Sequence, residues 1–248
     1  MDETKKLYER IQREFAALVK ENQFALKEIR IRSKGLTPKE AIGITKRQDY
    51  PILTGGEIML QAECEGCLGQ AFTSAPADFT GSLEEIMALD IVENPHNRGI
   101  YIATMNGVLR YLGKTENTVH CKDDGPVDCA KQIGEKIKKD HKGKRIALVG
   151  YQPSIMEALA VDVPLRVLDL NSENVGEVRF GVVVEHGIRD FEAVVEDWAE
   201  VVLCTGSVLC NGTLTPYLNL KKPVLFFGTT IAGTATLLGL NRICPKST

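Results

Sequence analysis

Two cysteines separated by two residues, Cys64 and Cys67, have the spacing that most directly suggests chemistry. Thiols at this spacing can hold one soft transition metal ion through both sulfurs, and Glu63 or Glu65 could add a carboxylate oxygen. A structural zinc site needs four ligands, and the remaining cysteines and histidines supply no second pair at ligand spacing. We therefore interpret Cys64 and Cys67 as candidate metal ligands, with structural thiols or a redox pair as the alternatives.

Small and polar residues follow four short apolar segments in the second half of the chain, at residues 145–151, 165–170, 201–205 and 224–227. Glycines let a ligand approach the backbone, and hydroxyl and amide side chains offer hydrogen bonds. The alternative is that such residues only cap helices and turn the chain. The residues that we predict to bind a ligand are Gly150, Tyr151, Pro153, Asp169, Thr205, Gly206, Ser207, Asn211, Gly212, Thr213, Gly228, Thr229 and Thr230.

The four segments are rich in β-branched residues, which is typical of strands buried on both faces. Strands that alternate with helices form a parallel sheet with helices on both faces, so the predicted fold class is α/β. Because ligands bind outside the carboxyl ends of such strands, we expect the polar loops to form one cleft. The helices between the strands are predicted at residues 154–160, 189–199, 213–220 and 231–238.

The first half of the chain predicts a smaller α+β domain. Leu7, Ile11 and Phe15 lie on one face of an amphipathic helix. The predicted strands lie at residues 24–32, 41–45 and 57–63, and the predicted helices begin at residues 82, 95 and 127.

A basic stretch at residues 131–145 marks the change of composition between the halves. Its simplest interpretation is a solvated helix face that leads into an exposed linker. We therefore place the boundary near His141, with domains at residues 1–141 and 142–248.

Several ligand classes lack their sequence signatures. The chain has no G-x-G-x-x-G and no G-x-x-x-x-G-K-[ST] at a predicted strand end, so routine NAD or ATP binding is not expected. The nucleophile-elbow, zinc-protease and kinase motifs are absent as well. Asp169 follows the second predicted strand, where a carboxylate can bind a ribose. This position leaves open an S-adenosylmethionine- or nucleotide-dependent transferase as an alternative function.

The composition of the 248 residues is that of a folded globular protein, with 44% hydrophobic and 25% charged residues. A net charge of −3 provides no general attraction for nucleic acid or for anionic membranes, so we expect a small-molecule or metal ligand. The first residues are charged and no apolar run reaches the length of a membrane span, which favours the cytoplasm. Seven scattered cysteines fit reduced thiols.

Two parts of the chain resemble a known family. The run from Thr205 to Leu214, with Gly150-Tyr151-Gln152-Pro153 before it and Gly228-Thr229-Thr230 after it, is similar to the C-terminal domain of the putative heavy-metal chelation family. Residues 67–73 and 103–109 resemble the N-terminal domain of that family. The resemblance implies a Rossmann-like domain facing an enolase-N-terminal-like domain, with a ligand site at their junction. The family usually has a histidine where this chain has Tyr151, so an imidazole ligand is not implied there.

These observations lead to the hypothesis of a cytosolic protein that binds a metal ion, a metal complex or a small anionic ligand in the cleft between its two domains. The transferase is the second hypothesis. A third is a non-catalytic assembly module that forms a homo-oligomer through its N-terminal helix.

Overall fold

The computed structural model describes residues 2–22, 28–55 and 57–248 and contains two sheets. The first half contains α1 (Glu3–Glu21), β1 (Arg30–Leu36), α2 (Pro38–Ile42), β2 (Ile58–Cys64), β3 (Cys67–Thr73), β4 (Phe79–Ser82), α3 (Leu83–Met87), α4 (Pro95–Tyr111) and α5 (Gly125–Asp140). The second half contains β5 (Ile146–Val149), α6 (Pro153–Ala160), β6 (Leu165–Asp169), β7 (Val178–Arg179), β8 (Val182–His186), β9 (Val201–Thr205), α7 (Thr215–Leu218), β10 (Val224–Phe227), α8 (Ala232–Leu238) and β11 (Arg242–Ile243). Shorter helical segments occur at Pro51–Leu53, Glu192–Trp198 and Gly206–Val208.

The larger sheet has the strand order β11-β10-β9-β5-β6-β8-β7. Its strands are parallel to their neighbours, except that β7 pairs with β8 in the antiparallel direction. The smaller sheet is antiparallel, with the order β3-β2-β1-β4. The predicted α/β fold class is confirmed.

Both faces of the larger sheet are buried, which explains the continuous apolar segments in the sequence. Ile146 and Leu148 of β5 pack with α5 and α6, whereas Ala147 and Val149 pack into the main core on the other face. That main core also contains Phe15 of α1. Each large side chain that is fully buried contributes about 1.5–3 kcal/mol to stability. Because the main core contains such side chains from both halves of the chain, it stabilises the two halves together.

Helix α4 is buried along residues 98–109 and packs against β2, β3 and α8. Its start is defined by Asn94, whose side chain accepts hydrogen bonds from two backbone N–H groups, and by Pro95 in the first turn. The helix approaches β3 closely at Gly69, where an added Cβ would lie 2.2 Å from the carbonyl oxygen of Ala103. Only glycine fits this contact, which positions the helix between the sheet and the second half.

One predicted strand is wrong. Residues 41–45 were expected to be extended, but Pro38–Ile42 form α2. Thr37 and Glu40 form a reciprocal capping box at its start, and Gly43 ends it with a φ of 72°. The predicted strand at residues 24–32 lies partly outside the described residues, and its described part begins β1 at Arg30.

Two features of the elements around the larger sheet were not predicted. Strand β8 extends the sheet beyond β6, and the short β7 forms a hairpin with it. Helix α5 precedes the predicted domain boundary at residue 141, yet Ile133 and Ile137 pack with α6 and the larger sheet. No helix in the described part of the chain is long and apolar enough to cross a membrane.

Candidate functional site

A cavity of about 1080 Å³ opens at the carboxyl ends of β5, β6, β9 and β10. The turns after these strands form one wall. Residues of the first half, including Tyr50, Glu57, Phe72 and His120, form the other wall. The cavity therefore lies where the two halves of the chain meet.

Most of the sequence-predicted ligand residues line this cavity. Pro153 and Thr229 do not line it: Pro153 is buried in the first turn of α6, and Thr229 is fully buried within the turn after β10. The predicted residues along the wall are Gly150, Tyr151, Asp169, Thr205, Gly206, Ser207, Asn211, Gly212, Thr213, Gly228 and Thr230.

The glycines in this wall allow close packing of the turns. Gly150 has a φ of 88°, and an added Cβ would lie 2.5 Å from Cγ2 of Thr205. At Gly206 an added Cβ would lie 2.9 Å from the backbone nitrogen of Ile231. Both positions therefore require glycine for the arrangement of the chain itself, whatever the cavity holds.

Some of the hydroxyl groups are occupied by structural hydrogen bonds. Thr205 accepts a hydrogen bond from the backbone N–H of Ser207 at 3.3 Å. Thr230 accepts one from the backbone N–H of Phe72 at 2.9 Å, which joins the two walls. Tyr50 and Ser154 join them a second time, with 2.6 Å between their hydroxyl oxygens. These contacts hold the cavity in shape.

The carboxylate of Asp169 is fixed in place by three hydrogen bonds. Oδ2 accepts the backbone N–H of Tyr151 at 2.6 Å. Oδ1 accepts the backbone N–H of Asn171 at 2.8 Å and the side-chain amide of Asn174 at 3.1 Å. Its negative charge is therefore held at the end of β6.

Glu57 brings a second carboxyl group to the cavity from the first half of the chain. The pKa of Glu57 is raised to about 7. Burial is the larger cause, and the negative charge of Asp169 is the smaller one. No hydrogen bond or ion pair joins the Glu57 side chain to another of the described residues. The carboxyl group of Glu57 is therefore partly ionised near neutral pH and is free to bind a ligand.

Arg98 is the cationic side chain among the described residues of the lining, and three of its five N–H groups donate hydrogen bonds to the backbone. The buried guanidinium donates to the carbonyl oxygens of Ile91 at 2.8 Å, Val92 at 2.6 Å and Cys210 at 3.0 Å. It also lies 4.6 Å from the ring centroid of Tyr8. Arg98 therefore holds three chain segments together.

A separate part of the cavity wall carries sulfur. Cys121, Cys129 and Cys244 line it, together with His120. Nδ1 of His120 lies 2.6 Å from the carbonyl oxygen of Cys121, which can only accept, so this nitrogen carries the proton. Burial lowers the pKa of His120, which favours the neutral ring.

Cys64 and Cys67 lie outside this cavity. They face each other across the hairpin of β2 and β3, joined by Glu65 and Gly66, which both have positive φ. Cys64 is fully buried, and burial raises the pKa of its thiol to about 12. Within residues 2–22, 28–55 and 57–248, no group of three or more His, Cys, Asp or Glu residues is arranged to hold a metal ion.

Sequence reasoning missed the wall that the first half of the chain supplies. Glu57, His120 and the three thiols are far apart in the sequence and match no motif. The hydrophobic pattern predicted the strands, and hence the turns that share an edge, but it carries no information on which residues of the first half face them.

Comparisons with known proteins find a matching family model and similar solved structures. A family described as "Putative heavy-metal chelation" (DUF364) has a model that matches residues 136–241. A DUF364 protein of unknown function from Pyrococcus horikoshii has a similar structure, with a TM-score of 0.54 and 18% identity, covering 90% of this chain and 79% of that one. Another, from Desulfitobacterium hafniense DCB-2, gives a TM-score of 0.49 and 15% identity, covering 73% of each chain. No curated protein matches the chain.

Proposed function

We propose that the cavity binds a metal ion within a small cationic complex. The support from the comparisons is that residues 136–241 match the model of the family described as "Putative heavy-metal chelation". Glu57 and Asp169 attract the positive charge of the complex. The turns at Gly150, Gly206 and Gly228 pack against the ligands that the metal brings with it.

The observation that carries this proposal is the sign of the charge along the cavity. Glu57, Asp169 and Glu173 contribute three carboxyl groups, against the single guanidinium of Arg98 among the described lining residues. Three of the five N–H groups of Arg98 are already engaged with backbone carbonyls. A partly enclosed cavity with this balance favours a cation over an anion.

A complex fits better than a bare metal ion for two reasons. The described residues offer no preassembled set of three metal ligands, so the metal needs ligands of its own. A volume of about 1080 Å³ also far exceeds the space of one ion and corresponds to the pockets that enclose small molecules.

Isothermal titration with hexaamminecobalt(III) tests this proposal, because this inert cation keeps its ammonia ligands. At pH 8 we expect binding to the unmodified chain. We expect the Kd to rise about tenfold for Glu57→Gln, which is the loss of one charge interaction of about 1.4 kcal/mol. Glu63→Gln is the matched control, because Glu63 is exposed on β2 and does not line the cavity. Equal affinities for all three proteins would contradict the proposal.

A transferase that uses S-adenosylmethionine or a nucleotide is a second candidate. Asp169 ends β6, which pairs with β5, and the turn after β5 contains Gly150. A carboxylate at this position can bind ribose hydroxyls. Heat on titration with S-adenosylmethionine or ATP, and its loss in Asp169→Asn, would favour this function. Silent titrations would dismiss it.

A further inference from the structure

One side of the cavity is apolar. Five residues form this side, which we call the apolar strip: Leu170, Ile188, Phe191, Pro216 and Tyr217. Four of the five side chains are hydrocarbons, and the fifth, that of Tyr217, is buried. The proposed function uses the carboxyl groups and the strand-end turns of the cavity, and it gives these five side chains no role.

Contacts join the members of the apolar strip. Gly187 packs against Leu170, because an added Cβ at Gly187 would lie 3.1 Å from Cδ2 of Leu170. Ile188 follows Gly187, and its carbonyl oxygen accepts the N–H of Phe191 at 3.4 Å. The rings of Phe191 and Tyr217 meet edge to face, with 5.3 Å between their centroids. The apolar strip is therefore continuous from the end of β6 to α7.

Hydrogen bonds fix the loop that carries Ile188. Nδ1 of His186 accepts the N–H of Ile188 at 3.2 Å. The carboxylate of Asp190 accepts the N–H of His186 at 2.9 Å. The N–H of Gly187 donates to the carbonyl oxygen of Asp169 at 2.8 Å. Ile188 is thereby held beside the end of β6.

Two members of the apolar strip leave hydrocarbon surface in contact with water. The exposed fraction is 67% for Ile188 and 41% for Leu170. Single exposed apolar side chains are common on protein surfaces, but these two lie together at the edge of one cavity. An apolar group of a ligand would cover both side chains, and the removal of this surface from water would strengthen binding.

We propose that the ligand of the cavity carries an apolar ring, which packs against the apolar strip while the positive charge of the ligand lies near Asp169. This inference rests on the proposed function and names a second feature of the same ligand. Asp169 directly precedes Leu170, so the carboxylate and the apolar strip are neighbours. A cavity of about 1080 Å³ has room for both parts of such a ligand.

The experiment is isothermal titration with two inert cobalt(III) complexes of equal charge. One is hexaamminecobalt(III), and the other is pentaammine(pyridine)cobalt(III), in which one pyridine ring replaces one ammonia. Because the carboxyl groups attract both complexes alike, a difference in affinity reports on the ring. We expect the Kd of the unmodified chain to be about tenfold lower for the pyridine complex.

The double variant Leu170→Ser/Ile188→Ser should remove this preference and bind the two complexes with equal Kd. Both side chains are exposed, so their replacement should leave the fold intact. The matched control is Val161→Ser/Val178→Ser, because these valines are 90% and 62% exposed and do not line the cavity. The control should keep the tenfold preference for the pyridine complex.

Equal Kd values of the unmodified chain for the two complexes would overturn the inference and leave the proposed function standing. A preference that persists in Leu170→Ser/Ile188→Ser would overturn it as well, because the ring would then bind elsewhere. Silent titrations with both complexes would contradict the proposed function and the inference together. Thermal unfolding shows whether each variant is folded. If the double variant unfolds, Ile188→Ser alone decides, and it should reduce the preference at least by about half.

Discussion

At the scale of single residues, the carboxyl group of Glu57 links the cavity to pH. Burial and the charge of Asp169 raise its pKa from the ordinary 4.5 to about 7. The folded protein therefore holds this proton more tightly than the unfolded chain. The resulting stability is fully present below pH 4.5 and is lost as the pH rises through 7.

Replacement of Glu57 by glutamine should remove this dependence. We expect Glu57→Gln to be more stable than the unmodified chain at pH 8, because ionised Glu57 is buried and repelled by Asp169. At pH 4 Glu57 is protonated, so the variant should lose this advantage. Urea unfolding at both pH values measures the difference. Glu63→Gln, on the exposed part of β2, should show no such change. If the stability difference for Glu57→Gln did not vary with pH, the assigned environment of Glu57 would be wrong.

At the scale of elements, Asn106 of α4 connects three segments that build the cavity. Its amide nitrogen lies within 3.2 Å of the carbonyl oxygens of Gln70, Thr229 and Thr230. Its amide oxygen accepts the N–H of Gly233 at 2.8 Å. The side chain is fully buried, so α4 holds β3 and the turn after β10 in a fixed relation.

Removal of the Asn106 amide should weaken the contacts that hold α4, β3 and the turn after β10 together. We expect Asn106→Ala to lower the free energy of unfolding by about 3 kcal/mol, because it leaves buried carbonyl and N–H groups without partners. The comparison with Asn241→Ala, at an exposed position, controls for the substitution itself. Chemical denaturation measures both. A loss no larger than that of the control would show that Asn106 does not join the segments.

The elements differ in how far the sequence predicts them. Buried strands such as β5 and β9 can be predicted from the sequence, because both of their faces are apolar over the whole strand. The sequence predicts a strand where α2 lies, because five residues are too few to show a helical period. The strand-end turns could be grouped because parallel strands end at a shared edge. Glu57 could not be assigned to that edge, because its position depends on packing between distant segments.

At the scale of the whole molecule, the cavity depends on both halves of the chain. One wall carries Asp169 at the end of a parallel strand, and the other carries Glu57 next to the antiparallel sheet. A continuous apolar core holds the two walls together. The central claim is therefore that charge from both halves converges on one cationic ligand.

The most direct measurement is anomalous diffraction at the cobalt edge, from crystals of the chain soaked in hexaamminecobalt(III). We expect one dominant cobalt position inside the cavity, between the carboxyl groups of Glu57 and Asp169. Cobalt found only on the outer surface, with no peak in the cavity, would contradict the proposed binding of a cationic complex.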